Sequence, residues 1–239
     1  MLRVDVTKRL KHFDLELEFS CAPGTLTAIV GPSGAGKTTL VRLLAGLEKP
    51  DTGCITFGKN VWADAAARIF VPARKRGLSL VFQDYTLFPH LSIRKNVAFA
   101  APNPDRVDEL MEMFGIRHLA SSKPASISGG ERQRAAFCQA IAREPVLLLL
   151  DEPFSALDVA NRRNLRSRLK DLKSDLNIPI LHVTHDLDEA VFLGDTVLAV
   201  EQGSLSSDWL HKQYEQNNDV AHDGSDYRTV LAGNWVMDQ

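Results

Sequence analysis

The first thirty positions alternate. Phe13, Leu15, Leu17 and Phe19 are interleaved with Asp14, Glu16 and Glu18, a period of two that predicts strands with one wet face over residues 1 to 30. Pro23 and Gly24 turn the chain into Thr25 to Val30, a short apolar, β-branched run that ends in glycine as a buried strand would. A helical pattern follows from Lys37 to about Leu47, and Gly77 to Phe82 is a further strand candidate. Between about 84 and 145 the period lengthens: Val107, Leu110, Met111 and Phe114 recur at three- and four-residue spacing, and Glu131 to Arg143 continues the pattern. Val146 to Leu150, Ile178 to Val183 and Thr196 to Val200 are apolar runs separated by helix-like stretches, the arrangement of a parallel sheet covered by helices. The expected fold class is therefore α/β, with one core interrupted by a helical insert.

Composition narrows the partners. The 239 residues are 44% hydrophobic and 24% charged, enough for one large α/β domain and unlike a disordered tail or a disulfide-stapled miniprotein. Twenty-eight basic against thirty acidic residues give a net charge of −2, so no bulk basic field draws the chain to nucleic acid. The apolar runs fall short of the roughly 20 residues that cross a bilayer, and the N-terminus lacks a signal-like apolar segment, which predicts a cytoplasmic protein. Cys21, Cys54 and Cys138 are single and unpaired in spacing, as reduced structural thiols are. The basic stretch from Asn161 to Lys173 reads as a solvated helix face in preference to a polyanion site.

The candidate chemistry begins at Gly31-Pro32-Ser33-Gly34-Ala35-Gly36-Lys37-Thr38, which fits G-x-x-x-x-G-K-[ST] between an apolar strand and a helix. Glycines let backbone N–H groups face phosphate oxygens, the helix N-terminus adds partial positive charge, Lys37 is a point charge for β- and γ-phosphates, and Thr38 offers its hydroxyl to Mg2+. Val146 to Glu152 is a buried strand delivering two carboxylates at its C-terminal end, Asp151 for the metal's water shell and Glu152 for general-base work on a water. Ser126 to Gln133 places small residues at a helix start and reads as a second phosphate-recognising device. His182 and His185 share helical ligand spacing, but they stand at the end of an apolar strand, which disfavours a metal pair.

Together these motifs resemble the nucleotide-binding subunit of an ATP-binding cassette (ABC) transporter. Gly31 to Thr38 matches the family's Walker A, Gln83 its Q-loop, Ile127 to Glu131 its signature, Leu147 to Glu152 its Walker B, Ser155 to Asp158 its D-loop and His185 its switch histidine, all in the family's order. The resemblance implies a P-loop NTPase cassette over residues 1 to 203, with a RecA-like mixed sheet, an N-terminal antiparallel β region and a helical subdomain at about 84 to 145. It further implies ATP and Mg2+ as ligands. ATP would be contacted by Gly31 to Thr39, Gln83 and Asp158 and, from a second copy, by Ser128, Gly129 and Gly130. Thr38, Gln83 and Asp151 would serve the metal, and Glu152, His185 and Lys37 the reaction. A homodimer beneath two permease subunits on the cytoplasmic face of the membrane, fed by a periplasmic binding protein, is the implied assembly.

Tyr85 to Ser92 would receive a permease helix, and Pro72 to His90 together with Glu201 to Ser204 look like importer cassettes of the molybdate, tungstate and sulfate type. Glu131 stands where the family often has Gln, a change expected to matter little. Phe13 is the only aromatic residue before Phe19, and core packing competes with adenine stacking for its ring. Rival classes lack their marks: no heptads or paired cysteines as in chromosome ATPases, and no guanine-reading N-K-x-D. The 36 residues after Gly203 are acidic with sparse aromatics and predict a short helix near 206 to 216 and a loose end, with no regulatory domain.

Overall fold

The computed structural model describes residues 1–82, 87–155 and 157–218, with side chains as far as Gln213. Its centre is a set of five parallel strands. β3 (Leu26–Val30) lies between β10 (Thr196–Glu201) and β9 (Ile180–Val183), and the sheet continues through β8 (Leu148–Asp151) to β7 (Ser79–Val81). On the other side, the hairpin partner β11 (Ser204–Leu205) passes the sheet to an antiparallel group: β2 (Asp14–Cys21), β1 (Leu2–Arg9), β4 (Thr52–Phe57), β5 (Asn60–Asp64) and β6 (Ile69–Phe70).

Parallel strands buried on both faces need apolar residues at every position, and β3 and β9 are buried throughout. Leu148 and Leu150 of β8 pack into the core under the helical layer, whereas Leu147 and Leu149 face the core shared with β1, β2 and α1 (Lys37–Ala45). The predicted first helix is shorter than its pattern. Gly46 adopts a left-handed conformation and its N–H returns to Leu43 O, closing α1 before Leu47.

Between β7 and β8 the chain runs through α2 (Ile93–Ala98), α3 (Asp105–Met113) and α4 (Gly129–Ala142), which pack on one another. Then α5 (Val159–Leu176) and α6 (Leu187–Leu193) alternate with β9 and β10, as the crossovers of a parallel sheet do. The basic stretch on α5 is not simply solvated. Arg166 is bound to Asp186 and Glu189, Arg162 reaches Asp186 at 3.5 Å, and Lys173 Nζ contacts Asp195 at 2.6 Å, while Arg163 and Lys170 do face solvent. The carboxylates that take up these cations lie on and before α6 and β10, too far along the chain for local charge counting to find. Finally, α7 (Ser207–Asn218) begins where the tail helix was expected, and Leu210 and Trp209 pack into the core beside β10. Residues 219–239, and with them the expected loose end, lie outside the described residues.

Candidate active site

Adjacent strands of a parallel sheet end on one edge, so residues following β3, β8 and β9 must meet there. The loop after β3 carries Gly31 to Gly36 into α1, whose first residue is Lys37. Its path is possible only for glycine at Gly31, where φ is 150° and a Cβ would stand 2.0 Å from Val200 O. At Gly36, with φ 105°, no side chain caps the helix, so the first N–H groups of α1 remain free for a ligand. The hairpin behind the loop helps to hold it, because Gly203 N donates to Ala35 O at 3.2 Å.

Lys37 is 7% exposed, and its Nζ donates to Gly31 O at 2.7 Å and Pro32 O at 2.9 Å, curling along the loop. Burial lowers its pKa, and the nearby charges of Glu152 and Asp151 oppose that shift. Asp151 responds in the opposite sense. Its carboxyl is raised by burial and by Glu152 beside it, against the pull of Lys37. Two carboxylates and one ammonium in a half-buried edge leave an excess of negative charge that a divalent cation would relieve, so the donor set fits Mg2+. Thr38 is exposed at the loop's rim and Thr39 half-buried, while Gln83, the remaining expected metal contact, lies outside the described residues, as do Tyr85 and Thr86.

Glu152 has φ +47°, the left-handed region that a residue with a Cβ enters at a cost of about 1 kcal/mol. The backbone is fixed on both sides: Glu152 N donates to Val183 O at 2.9 Å, and its carbonyl accepts from Ser155 N at 3.3 Å and Ser155 Oγ at 2.9 Å. This turn aims the carboxylate at the segment after β9, where His185 Nδ1 lies 2.7 Å from Glu152 Oε2. A carboxylate accepts, so Nδ1 is the donor in this contact, and the exposed ring leaves Nε2 open to a further partner. A cavity of about 50 Å³, lined by Glu152, Ser155, Thr184 and His185 among others, adjoins the pair and has room for a water.

His182 serves elsewhere. It is fully buried with its Nε2 2.7 Å from Glu189 Oε1, so that nitrogen is committed to a carboxylate, and among the described residues no three or more His, Cys, Asp and Glu side chains cluster as a metal cage. Burial alone would raise the Glu189 carboxyl; the hydrogen bond and charge of His182 and the guanidinium of Arg166 outweigh it and bring the pKa to about 2. Arg166 also binds Asp186, which caps α6 by accepting from Glu189 N at 2.9 Å. The residues His182, Glu189, Arg166 and Asp186 thus lock α5 and α6 beneath the sheet edge. None of this network was legible in the sequence, because it depends on which helix faces which.

The second device forms as a helix cap. Ser128 precedes α4, its Oγ accepts from Glu131 N, and Glu131 reaches back to Ser128 N, a complete capping box. Asp158 caps α5 in the same way, accepting from Asn161 N at 2.9 Å. Gly130 lies against Leu157 and Asn161, so the two caps are packed together. Among the described residues no hydrogen bond or ion pair joins Ser128, Gly129 or Gly130 to the loop at 31–39. Phe13 is in the turn before β2 rather than in the strand itself, and its half-exposed ring rests on Gly203 and near Gly36. The ring borders the phosphate loop instead of entering the core. Of the segment expected to receive a permease helix, Leu87 packs on the core and Phe88 meets the 61%-exposed Phe99 with ring centroids 4.4 Å apart. Buried Asn96 shapes this segment by bonding Phe88 N, Phe88 O, Leu91 O and Ser92 O, a role no motif announced.

The family model described as ABC transporter matches residues 15–155. A molybdate/tungstate import ATP-binding protein from Archaeoglobus fulgidus is 38% identical over 245 residues, covering 99% of each chain. A molybdenum import ATP-binding protein from Pectobacterium atrosepticum is 39% identical over 88% of this chain and 60% of its own length, so the chain spans about three fifths of that relative. Among solved structures, a dimeric ATP-binding cassette in a post-hydrolysis state with ADP and Pi superposes with a TM-score of 0.70 at 25% identity, covering 86% of this chain and 97% of that one. Motif order, strand order and these matches converge: the chain belongs to the ABC transporter family.

Proposed function

We propose that the chain is the ATP-hydrolysing subunit of an importer for a tetrahedral oxyanion such as molybdate, tungstate or sulfate, acting as a homodimer on the cytoplasmic face of two permease subunits. The observation that carries the ATPase reading is the meeting of Lys37, Asp151, Glu152 and His185 at one sheet edge, with Glu152 and His185 joined at 2.7 Å. The oxyanion reading rests on the relatives, whose names specify molybdate, tungstate or molybdenum import. The post-hydrolysis neighbour is a dimer bound to ADP and Pi, which supports a paired cassette.

In this reading the loop N–H groups and Lys37 hold the β- and γ-phosphates of ATP, and Lys37 exchanges its bonds to Gly31 O and Pro32 O for phosphate oxygens. Mg2+, held by Thr38, Asp151 and Gln83, would neutralise charge on the phosphate oxygens. Glu152 accepts a proton from the water that attacks the γ-phosphorus as the bond to the β–γ bridging oxygen breaks, leaving ADP and phosphate. His185 positions Glu152 through Nδ1 and offers its other ring nitrogen toward the γ-phosphate and the water. Ser128, Gly129 and Gly130, unconnected to their own phosphate loop, complete the site of a second copy. Loss of the γ-phosphate removes the link between the copies, and the permease follows that population shift.

Glu152→Gln tests the reading, because the amide keeps the shape and loses the base. ATP affinity should stay within about threefold while turnover falls by roughly 10² or more, and an ATP-dependent dimer should accumulate on size-exclusion chromatography. Near-normal hydrolysis would remove Glu152 from its role. Molybdate-dependent stimulation of hydrolysis in proteoliposomes holding the subunit, its permease and a binding protein tests the cargo.

A further inference from the structure

Ser128 has two protons to give, and both are already committed. Its N–H donates to Glu131 Oε2 at 2.7 Å, and its hydroxyl donates to the same oxygen at 2.8 Å while accepting from Glu131 N at 3.3 Å. The carboxylate is held charged, since the Ser128 N–H and hydroxyl bonds draw its pKa below the ordinary glutamate value. The basic side chains nearby make no close ion pair with it. His118 Nε2 is 4.0 Å from Glu131 Oε1 and largely exposed, and Arg134 turns its guanidinium to Asn161. The cap that forms α4 therefore puts an anion on the donors that the proposed function assigns to a γ-phosphate.

We propose that Glu131 is a gating residue for dimer closure: its carboxylate competes with the partner-bound γ-phosphate for Ser128 and repels it, so closure demands that Glu131 release both donors. The inference rests on the composite-site reading above. It stands against the expectation that Glu at this position matters little, and the two are separated by the experiment below. A glutamine would keep the capping box, because its amide oxygen accepts from the same N–H, yet it carries no charge and its NH2 can itself donate to phosphate. Glu131 acts through Ser128 and not on the reacting atoms, so it is a positioning residue, and its effect belongs to dimerisation and to KM more than to kcat.

The test compares Glu152→Gln with the double variant Glu131→Gln, Glu152→Gln, by light scattering over a range of ATP concentrations. At 50 mM salt the double variant should reach half-maximal dimer at an ATP concentration lower by about fivefold or more, and in 0.5 M salt the difference should shrink below about twofold, as screening of a charge repulsion requires. Binding of ATP to the monomer, measured in a Ser128→Arg background that cannot close, should be the same with Glu or Gln at 131. Equal or weaker ATP-driven dimerisation in the double variant, a gain that ignores salt, or an equal gain in the monomer would each overturn the proposal. If Glu152→Gln alone forms no dimer with ATP, the composite-site reading itself falls, an outcome distinct from the others. Thermal unfolding of the two proteins should agree within about 2 °C, because the cap is kept.

Discussion

A general base must be aimed, and at Glu152, proposed here for that role, the aim is set by backbone as much as by side chain. Left-handed φ in a residue with a Cβ persists only where the surroundings fix it, here Val183 O on one side and Ser155 on the other. Ser155→Ala removes the hydroxyl from that clamp while leaving the phosphate loop untouched. Turnover should fall roughly three- to tenfold with nucleotide affinity within twofold, since a small misplacement of the base costs rate and not binding. Glu189 gives a pH-dependent counterpart. Its folded pKa of about 2 lies below the ordinary glutamate value, so its stabilising contribution is complete above about pH 4.5 and is lost as pH falls toward 2. Glu189→Gln should therefore flatten the acid limb of a urea stability profile, by on the order of 2 kcal/mol between pH 5 and 2.5. A profile as steep as that of the unmodified protein would mean that other carboxylates carry the acid sensitivity.

Among the elements, α1 shows how a buried cation can satisfy the end of a helix. Arg76 is 2% exposed, donates to Leu43 O, Leu44 O and Val71 O at 2.7–2.8 Å, and lies over the rings of Trp62 and Phe70 with 5.5 Å to each centroid. Burial pulls its pKa down to about 10, which leaves it charged at neutral pH. Arg76→Ala would strand the last carbonyls of α1 and open space between the antiparallel strands and the helix. The expected loss is about 3 kcal/mol, seen as a fall of roughly 10 °C in Tm. What sequence could and could not show divides here. The strands after which Lys37, Glu152 and His185 stand were readable from short apolar runs, and the loop motif from its glycines. Arg76, Arg166 and Asn96 were not, because each is a polar residue made interior by partners on other elements, and a linear pattern prices such residues as surface. The weight proposed for Glu131 was not legible either, because family likeness describes the position, whereas its bonds to Ser128 describe this chain.

For the whole molecule, the separation of Ser128 from the loop at 31–39 within one copy makes a prediction about pairs. Ser128→Arg should block hydrolysis while each monomer still binds ATP, and Lys37→Ala should lose ATP binding at its own loop. In a head-to-tail pair of the two variants one site holds both defects and the other holds neither, so hydrolysis should return on mixing, and inactivity of verified mixed dimers would argue for sites complete within one copy. The sheet order carries a consequence for synthesis as well. β3, which launches the phosphate loop, leaves the ribosome about 150 residues ahead of both its neighbours, β9 and β10, which begin only at Ile180 and Thr196. The antiparallel strands can pair at once, while the first motif of the chain waits, unpaired on both edges, for nearly the last. A nascent chain stalled before β10 has left the tunnel should present a protease-sensitive loop around Gly31 to Gly36 and retain no ATP, and both properties should switch together when Val200 closes over Gly31.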